Sequence, residues 1–261
     1  KNIYMITTVQ QKTEEDFELL PDPERIVNGL RDTGYNFNTA VADIVDNSIA
    51  ANATKINIEV NMDPNMQVKV YFAANGCGMD LDGLKNAMKY GSKERIEKNS
   101  LGKFGLGLKT ASTAFCKQFS LISRNSPDSE LRKVQWDLDY IANNGSWLLQ
   151  FPVIDSDEED MLNMVAEGSS GTLLVWEKID RLMKNYKNFK NAQNGLNKIL
   201  EELRFHLSMV FQRYLDKNDS RAQNVEITVN TQSVSPWDPF CTKEKNTELL
   251  QEEDVPVDMP D

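Results

Sequence analysis

Phe37-Asn38-Thr39-Ala40-Val41-Ala42-Asp43-Ile44-Val45-Asp46-Asn47-Ser48-Ile49 is the stretch on which the reading of this chain turns. Ala40, Val41, Ile44, Val45, Ser48 and Ile49 recur at helical spacing, so they predict a helix from Phe37 to Asn52 with one apolar face. Asp43 and Asn47 lie four residues apart and so project together from another face. A carboxylate and a carboxamide one turn apart can divide two tasks. The amide oxygen is the hard donor that Mg²⁺ prefers. The carboxylate can orient and deprotonate a water aimed at a phosphoryl group. Taken alone, the pair reads more readily as exposed or capping positions on an ordinary amphipathic helix.

Working outward, Pro21-Asp22-Pro23 opens a helix over Glu24–Arg31. Downstream, Lys55–Val60 and Gln67–Phe72 alternate as strands do, with a turn at Asp63-Pro64-Asn65. Asp80 caps a helix running to about Tyr90, and another helix is entered from glycines over Gly105–Phe115. Lys117–Arg124, Leu131–Leu138, Trp147–Pro152, Ser169–Glu177 and Val225–Asn230 read as strands, with Asn143-Asn144-Gly145 as a turn between the second and third. Ala192–Asp216 reads as a long amphipathic helix with Leu196, Ile199, Leu200, Leu203, Leu207, Val210, Phe211 and Tyr214 on one stripe. This order predicts an α+β two-layer sandwich, with a mixed, largely antiparallel sheet and helices on one face.

Two glycine-bearing segments accompany the helix. Asn75-Gly76-Cys77-Gly78-Met79 follows a strand, and its glycines permit a tight turn and a close approach to a flat ligand. Gly102-Lys103-Phe104-Gly105-Leu106-Gly107-Leu108-Lys109 precedes a helix whose first amides can hold phosphate. Each also reads as a plain turn or loop. The second lacks Walker spacing and does not follow a strand directly, which excludes a P-loop and disfavours a dinucleotide fold.

In this order the three segments resemble the N box and the two glycine boxes of the GHKL (Bergerat-fold) ATPase superfamily, over about residues 25–180. Leu101–Ser112, Phe119–Arg124, His206-Leu207-Ser208 through Phe211, Ile227–Asn230 and Pro236-Trp237-Asp238-Pro239-Phe240 look most like MORC and bacterial MORC-like ATPases. The resemblance implies Asp43 as general base, in a position where most relatives carry Glu, and Asn47 as Mg²⁺ ligand. It implies Gly76 and Gly78 beneath adenine, Met79 beside it and Thr172 fixing an adenine-bound water. Ser92 and Lys93 fall at lid positions, and Gly102, Lys103, Phe104, Gly105, Leu106, Gly107 and Lys109 in the triphosphate loop. The acidic residue that normally accepts the adenine amine is replaced by Ala74. Losing that bond costs about 1.5–3 kcal/mol, ten-fold or more in affinity. Ala50, where relatives often carry Asp, is a milder departure because it lies beyond the Mg²⁺ ligand.

The implied cofactors are ATP and Mg²⁺, and the implied partners are a second copy on ATP binding and DNA through the dimer or further domains. The implied organisation is an arm over 1–20, the ATP-binding domain over 21–184, the start of a transducer-like domain over 185–243 and an acidic tail over 244–261. Family analogy adds a DNA-acting or antiviral defence setting. The alternative is a weak or inactive nucleotide- or partner-binding dimerisation module. A histidine-kinase reading is disfavoured because the long helix follows the ATPase motifs instead of preceding them.

The composition agrees with a globular protein: 261 residues, 40% hydrophobic and 26% charged. No apolar run reaches the ~20 residues of a membrane span, so no membrane partner is expected. A net charge of −11 argues against a broad DNA-backbone-binding face on this segment. The acidic run Asp155–Asp160 reads as a solvated loop. Three cysteines at no ligand spacing read as free thiols in a reducing cytoplasm, and the one histidine, His206, reads as a packed or interfacial side chain.

Overall fold

The computed structural model describes residues 22–32, 34–89, 107–183, 185–242 and 244–248. The helix that opened the reading is α2, Phe37–Ala50, preceded by α1, Pro23–Arg31. Asn36 caps α2 by accepting the Asn38 amide at 2.9 Å, and Asp22 caps α1 by accepting Arg25 at 2.9 Å. On α2, Ala40, Val41, Ile44, Val45 and Ile49 are buried as expected.

β1 (Lys55–Met62) and β2 (Val68–Ala74) form a hairpin whose turn is pinned by Asp63, which accepts the Gln67 amide at 2.8 Å. α3 (Leu81–Met88) is capped by Asp80, and α4 (Gly107–Phe115) leads directly into β3 (Cys116–Arg124). Then come β4 (Arg132–Asp137), α5 (Leu138–Asn144), α6 (Ser156–Ala166), β5 (Gly171–Ile179), α7 (Phe189–Val210), α8 (Gln212–Leu215), β6 (Glu226–Val229) and β7 (Gln232–Ser233). The seven strands make one sheet in the order β4-β3-β5-β2-β1-β6-β7, antiparallel throughout except for β1 beside β6. The expected α+β sandwich with a mixed, largely antiparallel sheet is therefore present.

One face of the sheet carries the larger core. Val70, Phe72, Phe119, Leu121, Leu174 and Trp176 meet α2, α4 and α7 there. Trp176 is its centre, fully buried, stacked on Phe115 with ring centroids 6.0 Å apart and edge-on to Phe72 at 4.8 Å. Its indole N–H donates to Ser112 on α4 at 2.8 Å.

Several expectations are corrected. The acidic run 155–160 is not a loop. Asp155 and Glu158 form a reciprocal capping box, which starts α6. Leu162, Val165 and Ala166 of α6 then pack on Tyr71, Ala73, Leu173 and Val175, so this helix lies on the opposite face from the others. Glu158 also bonds Lys133 of β4 at 2.5 Å, both side chains almost wholly buried. Asn143-Asn144-Gly145 does not join two strands. Asp137 caps α5, and Gly145, at φ 57°, ends it. Over 147–152 only Gln150 pairs, with Gln135, because Trp147 and Leu149 turn into the core instead of forming a ladder. The long helix starts at Phe189 after the Asn188 cap and breaks at Phe211, and Val210 is exposed off its stripe. β7 is an additional short strand.

α7 adds to the larger core, and β6 and β7 extend the same sheet. Among the described residues no helix is long and apolar enough to cross a membrane.

Candidate functional site

β2 ends, β5 begins and β3 ends at one edge of the helix-covered face. The register there aligns Ile56, Ala74, Thr172 and Ser123 in a cross-strand row. The chain leaves β2 through Asn75–Met79, and each residue of that loop is anchored. The Asn75 side chain makes three bonds, accepting the Thr54 and Lys55 amides at 2.8 Å and donating to the Thr54 hydroxyl at 2.9 Å. Gly76 lies against the end of α2, where a Cβ would come within 2.7 Å of the Ala51 carbonyl oxygen. Cys77 donates its amide to that same oxygen at 2.8 Å. Gly78 has φ +65°, and a Cβ on it would lie 1.9 Å from the Arg124 carbonyl oxygen. The Met79 amide donates to the Ser123 hydroxyl at 2.8 Å, and the Ser170 hydroxyl donates to the Gly76 carbonyl at 2.9 Å.

The glycine loop is thus fastened to α2, and α2 carries Asp43 and Asn47, both half-buried. The Asn47 amide nitrogen donates to the Asp43 carbonyl at 2.7 Å. That bond engages the amide nitrogen and leaves the carboxamide oxygen as the acceptor of the group, and a hard neutral oxygen suits Mg²⁺. Asp43 accepts the Tyr35 hydroxyl at 2.7 Å. Burial first, then Asp43, raises the Tyr35 phenol above its ordinary value, while a hydrogen bond from Thr110 opposes the rise. Thr110 lies in the first turn of α4, so Tyr35 bridges the carboxylate and the helix that follows the second glycine segment.

Lys109 faces elsewhere. Its amine donates to the Ala87 carbonyl at 2.8 Å, in the last turn of α3, and the residue is 1% exposed. Desolvation lowers its pKa to about 8. It ties the end of α3 to the start of α4, the two helices that flank 90–106. Gly107 is half-exposed, and a Cβ on it would meet nothing within 4 Å.

The Gly76–Met79 turn is bonded to the end of α2, which carries Asp43 and Asn47, and through Ser123 to Thr172, whose strand pairs it with Ala74, whereas Gly107 and Lys109 stand on α4 with the Lys109 amine turned to α3. Ser92, Lys93, Gly102, Lys103, Phe104, Gly105 and Leu106 lie outside the described residues. One described position departs from what a nucleotide base needs. Ala74 is buried and ends in a methyl group, so that position has no acceptor for a base. Ser123, Asn75 and Tyr35 escaped the sequence reading as site residues. Asn75 stood in the first glycine segment, which was read for its glycines and Met79, while Ser123 and Tyr35 gave no local signal. His206 sits on α7, half-buried, with burial lowering its imidazole pKa.

Residues 35–172 match the family described as histidine kinase-, DNA gyrase B- and HSP90-like ATPases. Over 89 residues the chain is 33% identical to ATPase MORC2B of Mus musculus, an overlap that covers 33% of this chain and 9% of that protein. A solved structure described as the N-terminal domain of a DNA repair protein overlaps 80% of this chain and 51% of its own, at 21% identity and a TM-score of 0.44.

Proposed function

Because the chain belongs to the family of histidine kinase-, DNA gyrase B- and HSP90-like ATPases, we propose that it binds ATP with Mg²⁺ where the Asn75–Met79 loop meets α2, and hydrolyses it slowly. The linkage of the three motifs supports this most directly. The loop is bonded to the end of α2 through Cys77 and Ala51, and Tyr35 connects Asp43 of α2 to Thr110 of α4. The Gly76–Met79 turn and Thr172 hold the base, and Asn47 offers its carboxamide oxygen to the metal. Bound Mg²⁺ supplies charge neutralisation at the phosphates. Asp43 accepts a proton from water, with its second oxygen steadied by Tyr35. Lys109 holds α3 against α4, on either side of the segment that carries the lid positions Ser92 and Lys93 and the triphosphate loop 102–107.

In this reading nucleotide binding orders the 91–104 segment, and with the 1–20 arm it builds a homodimer surface. Residues 185–243 begin a transducer-like region that passes the change onward. A DNA-acting role, with antiviral defence as one setting, is carried over from the resemblance of the sequence to MORC-like ATPases, and free thiols at Cys77, Cys116 and Cys241 fit a reducing cytoplasm.

The test is binding of a non-hydrolysable ATP analogue to this chain and to Ala74→Asp. A gain of ten-fold or more in the variant is expected from restoring the acceptor. No binding by either form removes the nucleotide reading. Adding Asn47→Ala to Ala74→Asp abolishes Mg²⁺-dependent turnover, and unchanged turnover removes the ligand assignment. The methyl of Ala74 also favours a second reading, a dimerisation module in which nucleotide is held weakly or not turned over.

A further inference from the structure

The fully buried Ser123 has three polar neighbours at its hydroxyl. The Met79 amide lies at 2.8 Å, the Gly171 carbonyl at 2.7 Å and the Thr172 hydroxyl at 2.8 Å. A hydroxyl has one proton and two lone pairs. The carbonyl can only accept, so the Ser123 proton goes to Gly171. The amide can only donate, so Met79 occupies one lone pair. The other lone pair is left for Thr172, whose own proton must therefore point at Ser123. Thr172 is half-exposed and keeps only lone pairs for anything that faces it from the site. Directly across on β2, Ala74 offers neither donor nor acceptor.

We infer that Ser123, by fixing this proton arrangement, makes Thr172 an acceptor-only group that selects a 6-aminopurine over a 6-oxopurine. This rests on the reading that a nucleotide base occupies the Ala74–Thr172 end of the sheet. Ser123 is a positioning residue, because it touches Thr172 and the Met79 backbone, not the base. An exocyclic amine donates to Thr172. A carbonyl at the same place sets acceptor against acceptor and leaves both unsatisfied, which is the kind of mismatch that discriminates strongly in a partly buried site. An acidic residue at position 74 would add a second acceptor of the same sense. With alanine there, selection passes to Thr172, and through it to a buried serine on a third strand.

The test is calorimetric binding of ADP and IDP, which carry an amine or a carbonyl at C6, with N1 bare in the first and protonated in the second, to the full chain and its variants. The wild-type chain is expected to prefer ADP by about ten-fold. In Ser123→Ala the Thr172 proton is released and can turn toward a carbonyl. IDP affinity then rises and the preference falls toward one, a gain that general loosening of the fold cannot produce. Ser123→Thr keeps a hydroxyl in place and retains the preference. Thr172→Val removes the acceptor, so ADP affinity falls while IDP changes little. An equal loss of both nucleotides in Ser123→Ala, with the ratio kept, overturns the inference and leaves the nucleotide site standing. Failure of either nucleotide to bind wild type overturns the inference together with the reading beneath it.

Discussion

The two sides of the candidate site are built on different terms. On the side proposed for the base, Asn75, Gly76, Cys77 and Met79 are bonded to backbone or hydroxyl groups at the end of α2, the start of β1, β3 and the approach to β5, and Gly78 packs against the β3 backbone. On the phosphate side, the first turn of α4 is held by long side chains, the amine of Lys109 reaching α3 and the phenol of Tyr35 joining Thr110 to Asp43. A flat ring needs a fixed slot, and close glycine contacts supply one that tolerates no added atom. A triphosphate and its metal need groups that can exchange partners, and side-chain amines and hydroxyls exchange more readily than packed backbone. The difference predicts that glycine substitutions on the base side damage the fold, whereas those on the phosphate side damage only ligand binding.

The largest effect is expected at Gly78. An alanine there must adopt a positive φ and place its Cβ 1.9 Å from a backbone oxygen of β3, which cannot swing aside. Backbone strain of about 1–3 kcal/mol, with the forced separation of loop and strand added, should bring Gly78→Ala to more than ~3 kcal/mol of destabilisation. Urea unfolding measures it, and a loss below ~1 kcal/mol would mean the loop is not locked as described. Asn75→Ala comes next. It strips the partners of two strand-end amides and a hydroxyl, for an expected loss of about 2–3 kcal/mol.

Lys109 gives a pH-dependent contrast. Its amine titrates near 8 in the folded chain and at 10.5 when free, so between those values the unfolded state holds the extra proton. Stability therefore increases as pH rises through this window, and the destabilisation from the buried charge is complete only below pH 8. Unfolding of wild type and Lys109→Met, compared at both ends of the window, should show the wild type gaining on the variant as pH rises. A constant difference would show that the amine is not buried as a charge.

How far this contrast was visible beforehand differs from place to place. The α2 face, the β1–β2 hairpin and the Asp80 cap follow from periodicity and local capping, so the order of the three motifs was readable without coordinates. α6 was hidden by its charge, although Asp155 and Glu158 stand at capping-box spacing ahead of Leu162 and Val165. The segment 147–152 resembled a strand, yet strand formation needs a neighbour, and only Gln150 has one. Ser123 gave no signal because its partners lie 44 and 49 residues distant, in the loop after β2 and in β5, and only the fold brings them together, while the Tyr35 hydroxyl meets Asp43 from outside the helix whose spacing was read. Local chemistry was legible, whereas the hydrogen-bond sense at Thr172 depends on tertiary pairing.

The smallest structural effect, and the sharpest division between the two sides, is expected at Gly107. An added methyl meets nothing within 4 Å and the residue opens a helix, so alanine costs no contact and gains helix propensity. Gly107→Ala should leave stability unchanged or raise it by up to ~1 kcal/mol. If the phosphate side serves a ligand and not the fold, the same variant weakens binding of an ATP analogue while the unfolding midpoint stays at or above that of wild type. Parallel loss of both would place Gly107 with Gly78 as a structural glycine and dissolve the contrast. Loss of neither would remove Gly107 from the triphosphate loop while leaving the base side as it stands.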